Sequence, residues 1–287
     1  MGGMYPIVKK LQSSTLWKNS NLLIFWHLVQ RVLASLGAYV YLLSEVTRII
    51  IRRPPPWTLV RDQMYNIGVL SLPIIAFTGF STGLVLAAQS FFQLSDKGLE
   101  SATGLMVAKA MTVELGPVLT AFMITGRVGA AMCAELGTMR VTEQIDALKS
   151  MAVNPIRYLL APRFIAGFIM VPFLTLFSCL MGIWGAYLLS VRYFHMDPNT
   201  FLDPLPLNIT TFDIFSGFTK SALFGIIVTS IACYKGFGTS GGASGVGRAT
   251  TSSVVASYAT ILGSNFLLTL FMNSFYSLFQ RWVATWL

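Results

Sequence analysis

Stretches of about 20 apolar residues recur along this chain, and they constrain its fold more than any other feature. Five such windows occur, at residues 67–92, 104–125, 164–191, 214–234 and 254–276. A helix of about 20 residues spans the hydrocarbon core of a bilayer, where every backbone polar group must be paired internally. Only 11% of all residues are charged, whereas soluble domains contain about 25%. The sequence therefore predicts an all-α, polytopic membrane protein with five transmembrane helices.

A sixth apolar stretch, residues 21–46, differs from the others because polar side chains such as His27 and Arg31 recur along one of its faces. A helix with one polar face is typical of a segment that lies in the membrane interface. Prolines at positions 54–56 should end it, because proline lacks the backbone donor that a helix needs. We predict a cytoplasmic N-terminal segment, residues 1–64, with an interfacial helix, and a five-span domain, residues 65–287. A sixth span is the alternative.

The Lys and Arg residues are distributed unequally between the two sides that this topology creates. Fifteen of the 20 fall on the side of the N-terminus, and only Lys97, Arg192 and Arg281 fall on the other. Cytoplasmic loops are enriched in Lys and Arg, so the N-terminus should be cytoplasmic and the C-terminus should lie outside. The net charge of +9 is explained by loops that face anionic lipid. No compact basic domain is present, which argues against a nucleic-acid partner.

Ionisable residues within the predicted spans are candidates for function. Glu114 lies near the middle of the second span, and Gly116-Pro117 should open the helix directly after it. Glu114 is either a polar point in a transport cavity or a packing residue paired with a neighbouring donor. Lys109 either extends to the outer headgroups, which is the favoured interpretation, or lines the same cavity. For Lys220, extension to the headgroups is the favoured interpretation.

The run of residues 126–164 carries five Lys/Arg and three acidic residues between two apolar windows. This predicts a structured, water-exposed connection. Small residues at positions 126, 130 and 134 should allow close helix packing at its start. Thr142 should cap a short helix at about residues 141–154, which Asn154-Pro155 ends. Its polar face either docks on a partner or is simply solvated, and its apolar face should hold Val141, Ile145, Leu148 and Ala152.

Several chemistries are not supported by the sequence. Residues 236–241 match G-x-G-x-x-G, but they join two membrane helices rather than a strand and a helix, so we predict a flexible cytoplasmic turn over residues 236–251. The chain has no hydrolytic motif and no metal-ligand spacing. Cys133, Cys179 and Cys233 are odd in number and lie in apolar surroundings, so they are interpreted as packing residues. The chain is therefore predicted to be neither an enzyme nor a cofactor-binding protein.

Three stretches resemble the MlaE/YrbE permeases, the membrane subunits of MCE-associated ABC lipid transporters. They are GRVGAAMCAELGTMRVTEQIDALKSMAVNPIRYLLAPRFIAG (126–167), VELGPVLTAFMITGR (113–127) and GASGVGRATTSSVV (242–255). The resemblance extends from about residue 68 to residue 269. It implies an interfacial N-terminal helix, five spans and a coupling helix between the second and third spans. It also implies a homodimer in the bacterial inner membrane with two cytoplasmic ABC ATPases, which bind the ATP, and a periplasmic MCE-domain protein that carries phospholipid for outer-membrane lipid homeostasis.

The resemblance also assigns site residues. It implies a lipid cavity lined largely by the first, second and fifth spans, with Glu114, Lys109, Pro117 and Asn265 on the substrate path. The coupling residues would be Glu143, Gln144, Ile145, Asp146, Ala147 and Leu148. The chain departs from the family at Val113, where some members have arginine, and at Asn265, where an acidic residue is common. The alternative function is an ion- or proton-coupled secondary transporter that uses Glu114; this class often contains inverted repeats, and none is visible here.

Overall fold

The computed structural model describes residues 26, 30 and 33–284, and every regular element in these residues is a helix. The prediction of an all-α protein is confirmed. The chain divides into one unit of residues 1–48 and another of residues 49–287. The helices are α1 (Leu33–Arg52), α2 (Trp57–Ile67), α3 (Leu72–Ser95), α4 (Thr103–Ala110), α5 (Gly116–Ile124), α6 (Ala130–Val141), α7 (Gln144–Ser150), α8 (Ala161–Arg192), α9 (Pro198–Leu202), α10 (Pro204–Asn208), α11 (Thr211–Phe237) and α12 (Gly242–Ala284).

Six helical segments of the described chain are long and apolar enough to cross a membrane. They are Leu33–Arg52, Trp57–Ser95, Glu100–Val141, Ile156–Arg192, Thr211–Phe237 and Gly242–Leu278. Five of them contain the five predicted windows. The sixth, α1, has 20 residues and a mean hydropathy of 1.3, so its length and composition alone permit a span. Two residues of the polar face predicted for residues 21–46, His27 and Arg31, lie outside the described residues, and the interfacial position of this helix stays a prediction.

Two segments extend well beyond their predicted ends, namely Glu100–Val141 and Ile156–Arg192. They are called the second and third membrane segments, because α1 is not counted. The second remains helical to Val141 and the third begins at Ile156, so only residues 142–155 separate them. The expectation of a connection over residues 126–164 is therefore wrong at both ends. Small residues explain the difference, because they let the polar end of the second segment pack on α11 and α12 instead of leaving it in water.

The Gly-rich stretch at residues 236–251 is also mostly helical. α11 continues to Phe237 and α12 begins at Gly242, which leaves a connection of residues 238–241. The predicted flexible turn over the whole stretch is wrong. Each glycine costs a helix about 1 kcal/mol relative to alanine, but the start of α12 packs closely against α6. A Cβ atom at Gly137 would lie 3.1 Å from the Thr239 hydroxyl and 3.4 Å from Val246 Cγ1.

The helix α8 lies at the centre of the bundle, between α3 and α11. A methyl group on Gly83 of α3 would overlap the backbone carbonyl of Gly182 in α8, and one on Gly225 of α11 would lie 2.5 Å from the Gly167 carbonyl oxygen. These glycines let the helix backbones touch, which brings many van der Waals contacts into a bundle that has little hydrophobic driving force in lipid. The site described below lies beside this core.

The start of α11 is fixed by a capping box. The Asp213 carboxylate accepts hydrogen bonds from the Thr210 backbone N–H and hydroxyl, both at 3.0 Å, and the Thr210 hydroxyl oxygen accepts from the Asp213 N–H at 3.3 Å. A box of this kind pairs backbone donors that the helix itself leaves open. It begins α11 at Thr211, so that Lys220 lies nine residues inside the helix, roughly 14 Å along its axis.

Candidate functional site

A π-helical turn, Met111–Leu115, interrupts the second membrane segment and carries Glu114. Gly116 donates its N–H to the Met111 carbonyl five residues earlier. Pro117 has no N–H to offer the Val113 carbonyl four residues earlier, and this explains why the helix opens here. The prediction that Gly116-Pro117 opens the helix is confirmed.

The carbonyl of Val113 and the carboxylate of Glu114 both accept hydrogen bonds from Lys220. The Lys220 Nζ lies 2.7 Å from Glu114 Oε1 and 3.1 Å from the Val113 carbonyl oxygen. The Lys220 side chain is 1% exposed and that of Glu114 is 36% exposed. Extension of Lys220 to the headgroups is therefore wrong. The capping box places Lys220 too deep in α11 for that, and a carboxylate stands within reach.

Two residues of α12 complete this cluster. The Asn265 Nδ2 donates to Glu114 Oε2 at 3.2 Å, and the Thr269 hydroxyl lies 3.0 Å from Glu114 Oε1. The Thr269 oxygen also accepts from Lys220 Nζ at 2.9 Å. All three protons of the Lys220 ammonium therefore have an acceptor. An ion pair with this many hydrogen bonds joins three helical segments at one point.

A cavity of about 720 Å³ opens on the exposed side of Glu114. It is lined by Ala102, Leu105, Met106, Lys109, Ala110, Val113, Glu114, Thr210, Phe212, Asp213, Asn273 and Tyr276. Its size is that of a small-molecule site. The cavity joins apolar walls to a few charged groups, which suits an amphiphilic ligand.

The four residues predicted for the substrate path take different positions around this cavity. Glu114 and Lys109 line it, and Lys109 Nζ lies 3.5 Å from Asp213 Oδ2. The structure therefore places Lys109 at the cavity, which is the less favoured of its two interpretations. Asn265 donates a hydrogen bond from its Nδ2 to the Glu114 carboxylate, and Pro117 is buried next to the π-helical turn. Their roles in transport stay predictions.

The short helix between the second and third segments is α7, of seven residues rather than the predicted stretch of about 141–154. Thr142 does not cap it, because its hydroxyl instead donates to the Thr138 carbonyl at 2.8 Å. Glu143 occupies the capping position in a left-handed conformation, with φ of 60° and no side-chain hydrogen bond to the helix. The predicted capping by Thr142 is therefore wrong.

The predicted coupling residues divide into buried, paired and exposed positions. Ile145 is fully buried, Leu148 is half-buried, and Ala152 is exposed, so the predicted apolar face is only partly buried. Asp146 accepts two hydrogen bonds from Arg140 Nη1, at 2.8 and 2.9 Å, and one from Lys149 Nζ at 2.9 Å. These bonds, first from Lys149 and then from Arg140, lower the pKa of Asp146. Glu143, Gln144 and Ala147 are exposed.

Sequence reasoning missed two members of the cluster around Glu114. Lys220 was recognised as ionisable, and the Thr210–Asp213 spacing of a capping box was a signal that could have placed it deep in α11. Thr269 carries no such signal, since a threonine in a membrane helix usually bonds its own backbone. Its single hydroxyl proton lies within reach of the Asn265 carbonyl at 2.9 Å and of Glu114 Oε1 at 3.0 Å, so it serves one of these acceptors at a time.

Most of this chain is similar in sequence to known permeases. The sequence model of a family described as "Permease MlaE" matches residues 60–271. A probable ABC transporter permease protein of Rickettsia bellii is 43% identical over 241 residues, which cover 83% of this chain and 92% of that protein. The intermembrane phospholipid transport system permease protein MlaE of Haemophilus influenzae is 39% identical, covering 75% and 82%.

A plant relative is similar over much of the same region. The chloroplastic protein TRIGALACTOSYLDIACYLGLYCEROL 1 of Arabidopsis thaliana is 36% identical over 228 residues, covering 79% of this chain and 65% of that protein. The family match includes Glu114, Lys220 and Thr269, together with the whole of α7. With six apolar helices in its described part, the chain is a multi-pass membrane protein, and it belongs to the MlaE permease family.

Proposed function

We propose that this chain is the permease subunit of an ABC-type transporter that moves phospholipid between the inner membrane and a periplasmic MCE-domain protein, in outer-membrane lipid homeostasis. The observation that carries the proposal is the cavity beside Glu114 in a member of the MlaE family. The Haemophilus relative is named as a phospholipid transport permease. A cavity with apolar walls, an exposed lysine and a carboxylate is suited to a ligand with both a charged headgroup and acyl chains.

The proposed topology follows from the apolar segments and the distribution of charge. The N-terminal helix lies in the interface, five segments span the membrane, the N-terminus is cytoplasmic and the C-terminus is periplasmic. Two copies of the chain assemble around the lipid path. The α12 segment supports this arrangement, because only 11% of its apolar window is buried within one chain.

The connection that contains α7 is proposed to couple the permease to a cytoplasmic ABC ATPase, which binds and hydrolyses the ATP. Glu143, Gln144 and Ala147 are exposed along it. Ile145 anchors α7 to the permease, and Asp146 ties it to Arg140 at the end of α6. Ile145 and Asp146 therefore hold the helix in place, while the exposed residues meet the ATPase.

Reconstitution tests this proposal. The chain is placed in liposomes with its ATPase and MCE-domain protein, and transfer of fluorescent phospholipid is measured with and without ATP. Glu143→Lys reverses an exposed charge and should lower ATP-dependent transfer about tenfold, equivalent to roughly 1.4 kcal/mol. The matched control is Asp203→Lys, an exposed charge reversal on the side of the membrane that the ATPase is not expected to reach.

Three results would contradict the proposal. Transfer without ATP, driven by a proton or ion gradient, would favour the secondary-transporter alternative. Equal transfer by Glu143→Lys and Asp203→Lys would remove the coupling role of α7. Failure to bind an ABC ATPase would refute the ABC assignment itself.

A further inference from the structure

An apolar groove of about 610 Å³ runs between α11 and α12. Phe215, Thr219 and Leu223 line it from α11, and Phe271 and Phe275 line it from α12. The Thr219 hydroxyl donates to the Phe215 carbonyl within its own helix at 2.8 Å. This bond satisfies its donor, so the walls of the groove offer an environment suited to a hydrocarbon chain.

The groove adjoins the charged cavity at a pair of aromatic rings. Phe212 and Tyr276 line both spaces. Their rings are stacked, with centroids 4.2 Å apart and planes inclined by 21°. The charged cavity and the apolar groove thus share a wall. A molecule with a charged head and a long apolar chain matches this arrangement, with its head in the cavity and its chain in the groove.

The charges next to this wall indicate which end of such a molecule the cavity holds. The Asp213 side chain is 11% exposed, and its Oδ2 already accepts from Thr210. Lys109 is 52% exposed and contacts the same oxygen at 3.5 Å. An ammonium has three donors, and this single long contact leaves Lys109 able to bind an anionic oxygen in the cavity, as a phosphodiester provides.

We propose that the groove between α11 and α12 holds one acyl chain of a phospholipid whose phosphate contacts Lys109, with the chain passing the Phe212–Tyr276 pair. The inference rests on the proposed function, because it takes phospholipid as the substrate. It adds a chain-binding subsite formed within a single copy of the protein. Ordinary bilayer lipid would cover any apolar helix surface, but its position would not depend on Lys109.

Photolabelling distinguishes a bound chain from bulk lipid. The full chain is reconstituted in phosphatidylcholine nanodiscs that contain a phosphatidylcholine with a diazirine near the end of one acyl chain. Labelling at Phe271 and Phe275 is quantified by mass spectrometry, relative to labelling at exposed Phe173 of α8. Leu223→Trp should fill the groove, and Lys109→Gln should remove the phosphate contact. Each should lower the relative labelling about fivefold, the ratio that roughly 1 kcal/mol gives.

The controls separate this inference from the proposed function. Thr219→Trp fills the same groove if Leu223→Trp fails to fold, and Leu180→Trp adds an indole elsewhere and should leave groove labelling unchanged. Groove labelling that equals that of Phe173, or that Lys109→Gln does not alter, would overturn the inference. The labelling needs neither ATP nor a partner protein. It can therefore succeed when ATP-dependent transfer fails, and it can fail when transfer succeeds.

Discussion

Replacing Glu114 by glutamine should expose the cost of a buried, unbalanced lysine. Glu114→Gln keeps the size of the side chain and removes its charge. Lys220, at 1% exposure, then has only neutral acceptors, namely the Val113 carbonyl, the Thr269 hydroxyl and the amide oxygen of the new glutamine. Removing one partner of a buried ion pair costs about 3–5 kcal/mol. Because Glu114 is 36% exposed and the neutral acceptors remain, we expect the lower end, about 3 kcal/mol.

The converse change, Lys220→Met, should cost less. Glu114 keeps its donors Asn265 and Thr269 as well as its access to the cavity. We expect about 1.5 kcal/mol, the lower value for a hydrogen bond to a charged group. The double variant Glu114→Gln/Lys220→Met contains neither charge and leaves none uncompensated. It should therefore be more stable than the sum of the single effects predicts, with a coupling of about 2 kcal/mol.

The free energy of unfolding of the four proteins, measured by denaturant titration in bicelles, gives this coupling directly. Thr219→Val is a matched control on α11, because Thr219 bonds its own helix, and its effect should stay within about 0.5 kcal/mol. If the two single effects add to within about 0.5 kcal/mol, the ion pair does not stabilise the bundle, and the reasoning from burial is refuted.

Two further predictions concern packing and pH. Gly83→Ala places a methyl group against the Gly182 carbonyl and should lower the free energy of unfolding by about 1–3 kcal/mol. The control Gly247→Ala, whose added Cβ would have no packing neighbour within 4 Å, should be neutral or slightly stabilising. Equal melting temperatures of the two variants would contradict this prediction. The hydrogen bonds to Asp146 lower its pKa from 3.8, so its contribution is present above that value and is lost as the pH falls through the lowered pKa. Hydrogen exchange, corrected for intrinsic rates, should show that residues 144–150 of the wild type are equally protected from about pH 7 to 5 and lose protection when the pH drops below about 4. In Asp146→Asn the same residues should be weakly protected at every pH. Wild-type protection as weak at about pH 7 as that of Asp146→Asn would argue against the bonds.

The membrane segments could be predicted from the sequence because the bilayer imposes a length of about 20 apolar residues on each. Their ends could not. The second segment continues to Val141 through residues too polar for a hydropathy window. What holds residues 126–141 in a helix is packing of small side chains on α11 and α12, and such long-range contacts leave no local signal. The same contacts turned the Gly-rich stretch after residue 241 into the first turns of α12.

The candidate site was predicted only in part for a related reason. An acidic residue in the middle of a span followed by Gly-Pro pointed to Glu114 without knowledge of the fold. Its partner Lys220 is 106 residues away, and Asn265 and Thr269 are still farther along the chain. Pairing across such distances depends on helix register, because one residue rotates a side chain by about 100°. Helix ends that were misplaced by several residues could not give that register.

The length of the second segment bears on how motion at α7 would reach the site. Its 42 residues span roughly 63 Å at 1.5 Å per residue, about twice the hydrocarbon thickness. The Arg140–Asp146 pair fastens α7 to the end of this segment, and the Arg163–Glu135 contact of 2.9 Å fastens the same stretch to α8. Between these pairs and Glu114 lies a second π-helical turn, Thr125–Gly129. Since π-helical turns inside α-helices occur frequently at functional sites, we expect displacement of α7 to be absorbed there and at Met111–Leu115, where it would shift Glu114 relative to Lys220 rather than move the bundle as a rigid whole.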